Sequence, residues 1–138
     1  MLGEREPELY GTTTLAEVKE LCLARARAHE LELEFRQTNM EGVLIESVHE
    51  ARKVASGIII NPSGLTFTSI AVLDSLRMFN GPKIELHITN IFQREEIYQK
   101  SLMSRTATAV VVGLGPEGYG IAVDAMAMLL AKQSDRRR

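Results

Sequence analysis

Hydrophobic positions recur at helical spacing in some stretches of the chain and alternate or run together in others. Leu15, Val18, Leu21 and Cys22 repeat every three to four residues behind Thr14. Glu17, three residues after that threonine, completes the form of a capping box, so a first helix is predicted from Thr14 to about His29. Leu31, Leu33 and Phe35 alternate with glutamates, which predicts a strand with one buried face and a polar exit through Arg36 to Asn39. From Glu41 a helical period returns through Val43, Leu44, Ile45, Val48, Ala51 and Val54 and stops near Gly57.

Ile58 to Ile60, bounded by Gly57 and by Asn61-Pro62, is a short continuous apolar run of the kind found in strands covered on both faces. Pro62, Ser63 and Gly64 break the chain, and a helix is predicted over 68–79 with Ile70, Leu73 and Leu76 on one side. After Asn80-Gly81-Pro82 a strand is predicted over 84–90, its Ile84, Leu86 and Ile88 alternating with Glu85, His87 and Thr89. On this reading the polar set meets solvent. A short helix over 93–100, a buried strand over 108–113 and a last helix over 117–132 complete the pattern, and residues 1–13, with Gly3, Pro7 and Gly11, read as a loop.

Strand and helix alternate throughout, so the expected fold is α/β: an open parallel sheet with helices on both faces. The length of 138 residues suits a single domain, 1–138, with a basic tail at 133–138. Ligands in such sheets sit beyond the carboxyl ends of the strands. Asn61, the stretch from His87 to Asn90 and the stretch from Gly113 to Gly115 all fall there.

Composition narrows the classes. A net charge of −2, with Arg136 to Arg138 as the one dense positive run, provides no basic footprint for nucleic acid. No run of 18 apolar residues suggests a membrane span, and the start lacks an apolar leader, so a cytoplasmic protein is expected. The one cysteine, Cys22, fits a small core residue better than a nucleophile. Three dispersed histidines give no metal spacing, with His29 and His49 expected on helix surfaces. The Gly113 to Gly118 stretch (GLGPEG) lacks the lysine and hydroxyl of a phosphate loop, and no serine elbow is present.

What chemistry remains lies at the end of the 84–90 strand. Glu85 and His87 leave one face of a strand, close enough for a carboxylate to orient an imidazole as a general acid or base. A polar strand face meeting water accounts for the same two residues. Tyr10, with Arg5 nearby in sequence, is open to two readings as well, a packing anchor or a member of the same site.

Five blocks, in order, carry a family resemblance: Gly3–Gly11 (GEREPELYG), Arg36–Gly42 (RQTNMEG), Asn61–Ser69 (NPSGLTFTS), Ile84–Asn90 (IELHITN) and Arg94–Glu96 (REE). Together they resemble the type II 3-dehydroquinate dehydratases. The resemblance implies a flavodoxin-like fold, trimers that build dodecamers, and no metal or organic cofactor. It further implies an anti elimination of water from 3-dehydroquinate, through an enolate, to 3-dehydroshikimate in the shikimate or quinate pathway.

By position, Tyr10 looks like the base and His87, held by Glu85, like the general acid. A phenol ordinarily keeps its proton to about pH 10, so such a base needs opposite charge beside it; Arg5 and Arg94 are the residues the resemblance would put there. Asn61 resembles the group near the developing enolate, the backbone at Ile88 and Thr89 the carboxylate-binding turn, and Asp74 an acid that reaches a neighbouring copy's site. Residues 1–13 would be the active-site lid. The family usually has His where Phe67 stands and Arg where Tyr98 stands, both against the substrate's hydroxyls. Those departures leave two alternatives, a paralogue for a less hydroxylated ligand and a catalytically impaired assembly protein. The family's first strand is also absent from the sequence, so an upstream start is expected.

Overall fold

The computed structural model describes residues 1–138. Three strands, β1 (Ile58–Ile60), β2 (Lys83–His87) and β3 (Ala109–Val112), form a parallel sheet in the order β1-β2-β3. Register pairs Ile59 with Ile84 and Ile84 with Ala109, so side chains two apart on β2 share a face with their neighbours across the sheet. The expected α/β class with a parallel sheet is present.

Helices cover both faces. On one side α6 (Gly118–Arg136) packs on Ile84 and Leu86, and α2 (Leu15–Ala28) packs on α6 through Val18, Cys22 and Val123. On the other, α3 (Glu41–Val54) and α5 (Ile70–Arg77) bury Val48, Val72, Leu73 and Leu76 against Ile60 and Met103. The Thr14 capping box forms as predicted: its hydroxyl accepts the Glu17 N–H at 3.2 Å while the Glu17 carboxylate accepts the Thr14 N–H at 2.7 Å. Cys22 is buried in that core.

Several expectations are corrected. Residues 1–13 are not all loop: Pro7, whose fixed φ suits a first helical position, starts the one-turn helix α1 (Pro7–Tyr10), and Gly11 ends it at φ 75°. The predicted strand over 31–35 keeps its alternation, with Leu31, Leu33 and Phe35 packed on the α2–α6 core, but it is no strand. Residues 32–39 make no backbone–backbone hydrogen bonds, because no strand of the chain runs beside them to complete a ladder. The helix predicted over 68–79 is shorter, α5 starting at Ile70, and a separate one-turn helix α4 (Leu65–Thr68) precedes it; Ser69 divides them, its hydroxyl accepting the Val72 N–H as a fresh N-cap.

Over 91–105 there are only three short 3₁₀ turns. The strand over 108–113 is an edge strand with Val110 exposed, and the last helix runs on through Arg136, into the stretch read as a tail. Most consequential is β2. All five of its residues are buried, so its polar side chains face the interior and not solvent.

Gly81 allows the turn into β2 to press against the chain before β1. A Cβ there would overlap the Ser56 carbonyl oxygen and the Phe79 ring. Gly81→Ala is expected to destabilise the protein by about 1–3 kcal/mol, as overpacking does. Urea denaturation checks this, and an unchanged midpoint would contradict the packing described.

Candidate active site

Strand β2 ends at His87, and everything chemically distinctive gathers around that end. Glu85 and His87 project from the face opposite Ile84 and Leu86, as residues two apart must. They are 1% and 5% exposed, and His87 Nε2 lies 2.6 Å from Glu85 Oε2. The other carboxylate oxygen accepts a 2.8 Å hydrogen bond from the Ser101 hydroxyl. An ionised carboxylate only accepts, so the proton in the Glu85–His87 contact belongs to Nε2. Nδ1 has no partner within the chain and is left for a ligand.

A cleft of about 170 Å³ opens at this end of the sheet. Tyr10, Arg5, Asn61, His87, Ile88, Thr89, Arg94, Phe67 and Tyr98 all line it, residues that lie up to 93 positions apart in the chain. Glu85, expected to hold His87, and Asp74, expected to reach a neighbouring copy's site, do not line it. Glu85 lies behind His87, and Asp74 is exposed on α5, 3.5 Å from Arg77. A larger cavity of about 400 Å³, lined by Glu85, Gln99, Ser101 and Ser104 among others, shares no residue with the cleft. Its only acid–base group, Glu85, is already engaged at both oxygens, so the chemistry belongs to the smaller cleft.

The remaining groups divide into a cationic corner and an aromatic wall. Arg94 Nη1 donates to the Tyr10 hydroxyl at 3.4 Å, and the Arg5 guanidinium stands 5.7 Å from the Tyr10 ring centre. Two cationic side chains thus border Tyr10. The same Arg94 guanidinium lies 4.0 Å over the Tyr98 ring, which meets Phe67 edge-on at 5.5 Å. Phe67 in turn stacks on His87 at 6.1 Å. Phe67 and Tyr98 therefore form one apolar side of the cleft, running from Arg94 to His87.

Asn61 follows β1 into the cleft. Its Oδ1 accepts the Ser63 N–H at 3.2 Å, and its Nδ2 donates to the Tyr119 hydroxyl at 2.8 Å. Beyond β2, the N–H groups of Ile88 and Thr89 have no acceptor within the chain, so a carboxylate could take them. Sequence reasoning missed Ser101 and Tyr119. Ser101 carries no local signal. Tyr119 follows the Gly113–Gly118 turn, and nothing local in the sequence ties it to Asn61. No group of three or more histidine, cysteine or acidic side chains could hold a metal ion. No helix is long and apolar enough to cross a membrane.

Comparison with known proteins bears on the family and the fold. The family profile described as Dehydroquinase class II matches residues 1–127. The chain is 47% identical over 130 residues to a 3-dehydroquinate dehydratase of Streptomyces avermitilis, covering 94% of this chain and 82% of that protein. It is 47% identical over 134 residues to 3-dehydroquinate dehydratase 2 of Agrobacterium fabrum, covering 97% and 91%. Among solved structures it is similar to a type II dehydroquinase from Propionibacterium acnes, with a TM-score of 0.88 and 36% identity over 92% of this chain and 88% of that one.

Burial raises the pKa of the Tyr119 phenol above its usual 10.0, against the smaller opposing effect of the Asn61 hydrogen bond. A group held protonated by the fold contributes stability that is complete below the unfolded value and is lost as pH rises toward the folded one. The stability of the native protein relative to Tyr119→Phe should thus be constant up to about pH 9 and fall above pH 10. Melting curves across that range test it, and a constant difference through pH 11 would contradict it.

Proposed function

The chain belongs to the class II dehydroquinase family, and we propose that its cleft carries out the family's elimination with Tyr10 as base and His87 as acid. The protein is a 3-dehydroquinate dehydratase, a hydro-lyase, as are its relatives at about this level of identity. One observation carries the mechanism: a tyrosine held by a guanidinium and a histidine backed by a carboxylate face the same small cleft.

Bound 3-dehydroquinate presents a carbon next to its ketone to the Tyr10 phenolate, which takes a proton from it. Arg94 and Arg5 stabilise that phenolate before the transfer and release the phenol after it. The electron pair moves onto the ketone oxygen as an enolate. The Asn61 amide, which lines the cleft with one N–H unused within the chain, is the donor assigned to it, directly or through a water. When the enolate collapses, the hydroxyl two carbons from the ketone carbon leaves with a proton from His87 Nδ1, and the product is the conjugated enone. Glu85 compensates the charge of the imidazolium beforehand and fixes the ring so that Nδ1 faces the cleft. The free N–H groups of Ile88 and Thr89 suit the substrate carboxylate.

Residues 1–13 act in this scheme as the lid of a single functional unit, 1–138, since Arg5 and Tyr10 both come from them. The trimer that the family resemblance implies, as a unit of a dodecamer, would bring Asp74 of one copy to the cleft of the next. Its exposure on α5 leaves it free to do so. No cofactor enters the scheme. A cytoplasmic setting suits a chain whose single cysteine is a free thiol.

Mixing the protein with 3-dehydroquinate should raise the ultraviolet absorbance of a conjugated enone. Tyr10→Phe and His87→Ala should each lower kcat by about 10²–10⁴-fold, the usual contribution of a general acid or base. No absorbance rise above the Tyr10→Phe control would refute the mechanism.

A further inference from the structure

The Asn61 amide is held by two contacts of opposite sense. The Ser63 N–H can only donate, so the atom it meets must be Oδ1, and that places the amino group toward Tyr119. Turning the amide over would set its NH₂ against the Ser63 N–H, two donors facing each other. Ser63 itself sits at φ 49°, a backbone state that the Asn61–Gly64 turn imposes and that the Asn61 carbonyl helps to hold. One N–H of the Asn61 amino group goes to the phenol oxygen. Its second N–H has no partner in the chain and is available in the cleft.

Tyr119 reaches Asn61 from the far end of the sequence, and its own position is rigid. Gly113 at φ 82° and Gly115 at φ 67° turn the chain back after β3, so that α6 begins directly beside the sheet. One residue on, Gly120 lies so close to Leu21 that an added Cβ would come within 3.2 Å of that side chain, which locks the first turn of α6 onto α2. The phenol is mostly buried and stays protonated at neutral pH, so it meets Asn61 as a neutral partner. A ring with two torsions, fixed on a packed helix, is a better anchor for an amide than a loop would be.

We infer that Tyr119 is a positioning residue for the elimination: its hydroxyl holds the Asn61 amide so that the free N–H points where the enolate develops. The inference rests on the role given to Asn61 above and assigns the Gly113–Gly118 turn a purpose, that of delivering this phenol. Tyr119 does not line the cleft, so it acts only through Asn61. Donors aimed at the transition state affect kcat more than substrate affinity.

The test is a cycle of wild type, Tyr119→Phe, Asn61→Ala and the double variant, with kcat and KM measured on 3-dehydroquinate and a thermal melt for each. Tyr119→Phe should lower kcat by about 5- to 30-fold, with KM within about twofold, since small misplacements of a catalytic group act on this scale. Asn61→Ala should lower kcat at least as much, and adding Tyr119→Phe to it should lower kcat no further. A merely structural phenol would shift the melting temperature and multiply with Asn61→Ala. Wild-type kcat in Tyr119→Phe beside an impaired Asn61→Ala would overturn the inference while leaving the role of Asn61 intact. So would losses that multiply. Wild-type kcat in Asn61→Ala would instead overturn the role of Asn61 itself, and the inference with it.

Discussion

A carboxylate and an imidazole, almost wholly buried and 2.6 Å apart, constrain the rest of this structure. Burying such a pair is favourable only where the geometry is good and the second carboxylate oxygen also finds a partner. The central strand of a parallel sheet meets both conditions. Ile84 and Leu86 anchor β2 to α6 from one face, which fixes the direction in which Glu85 and His87 leave the other. Ser101 supplies the second hydrogen bond to the carboxylate, from the segment that leads back toward β3. What is left over is a single ring nitrogen, and it meets the cleft.

Opposite that nitrogen, the other half of the site is assembled from segments with little regular structure. Arg94 belongs to both halves, since its guanidinium touches the Tyr10 hydroxyl and lies on the Tyr98 ring. Stacking keeps the guanidinium plane in place without using its hydrogen-bond donors, which stay free for the phenol and for a ligand. Phe67 then joins Tyr98 to His87, so the base side and the acid side are linked through one aromatic surface. Phe67 and Tyr98 therefore contribute packing to that side of the cleft. Tyr10 itself is set by Pro7 and Gly11, which bracket a helix of one turn.

Much of this was legible in the sequence, and the boundary of legibility is physical. Period and punctuation located α2, α3 and all three strands, because capping, helical spacing and Gly or Pro breaks are local properties. The alternation at Leu31, Leu33 and Phe35 reported which side chains are buried, but a strand also needs a neighbour, which no local pattern supplies. Glu85 and His87 were read correctly as sharing a face. That the face is buried depends on what packs over it from 16 residues away and beyond. Ser69 ends one helix and caps another with the same side chain, and a period count passes over it. Tyr119 and Asn61 are 58 residues apart and meet only because two positive-φ glycines turn the chain between β3 and α6. The five resemblance blocks named nearly the whole cleft lining. They said nothing of the two residues that steady it from behind.

Glu85 fixes His87 with its Nε2 proton inward, which leaves Nδ1 without a partner in the chain. Nitrogen-15 spectra of histidine-labelled protein, assigned with a His87→Gln variant and recorded where the ring is neutral, report that tautomer directly. One fixed form is expected, with protonated Nε2 and bare Nδ1, that is lost in Glu85→Ala. A bare Nε2, or two tautomers in rapid exchange, would contradict it.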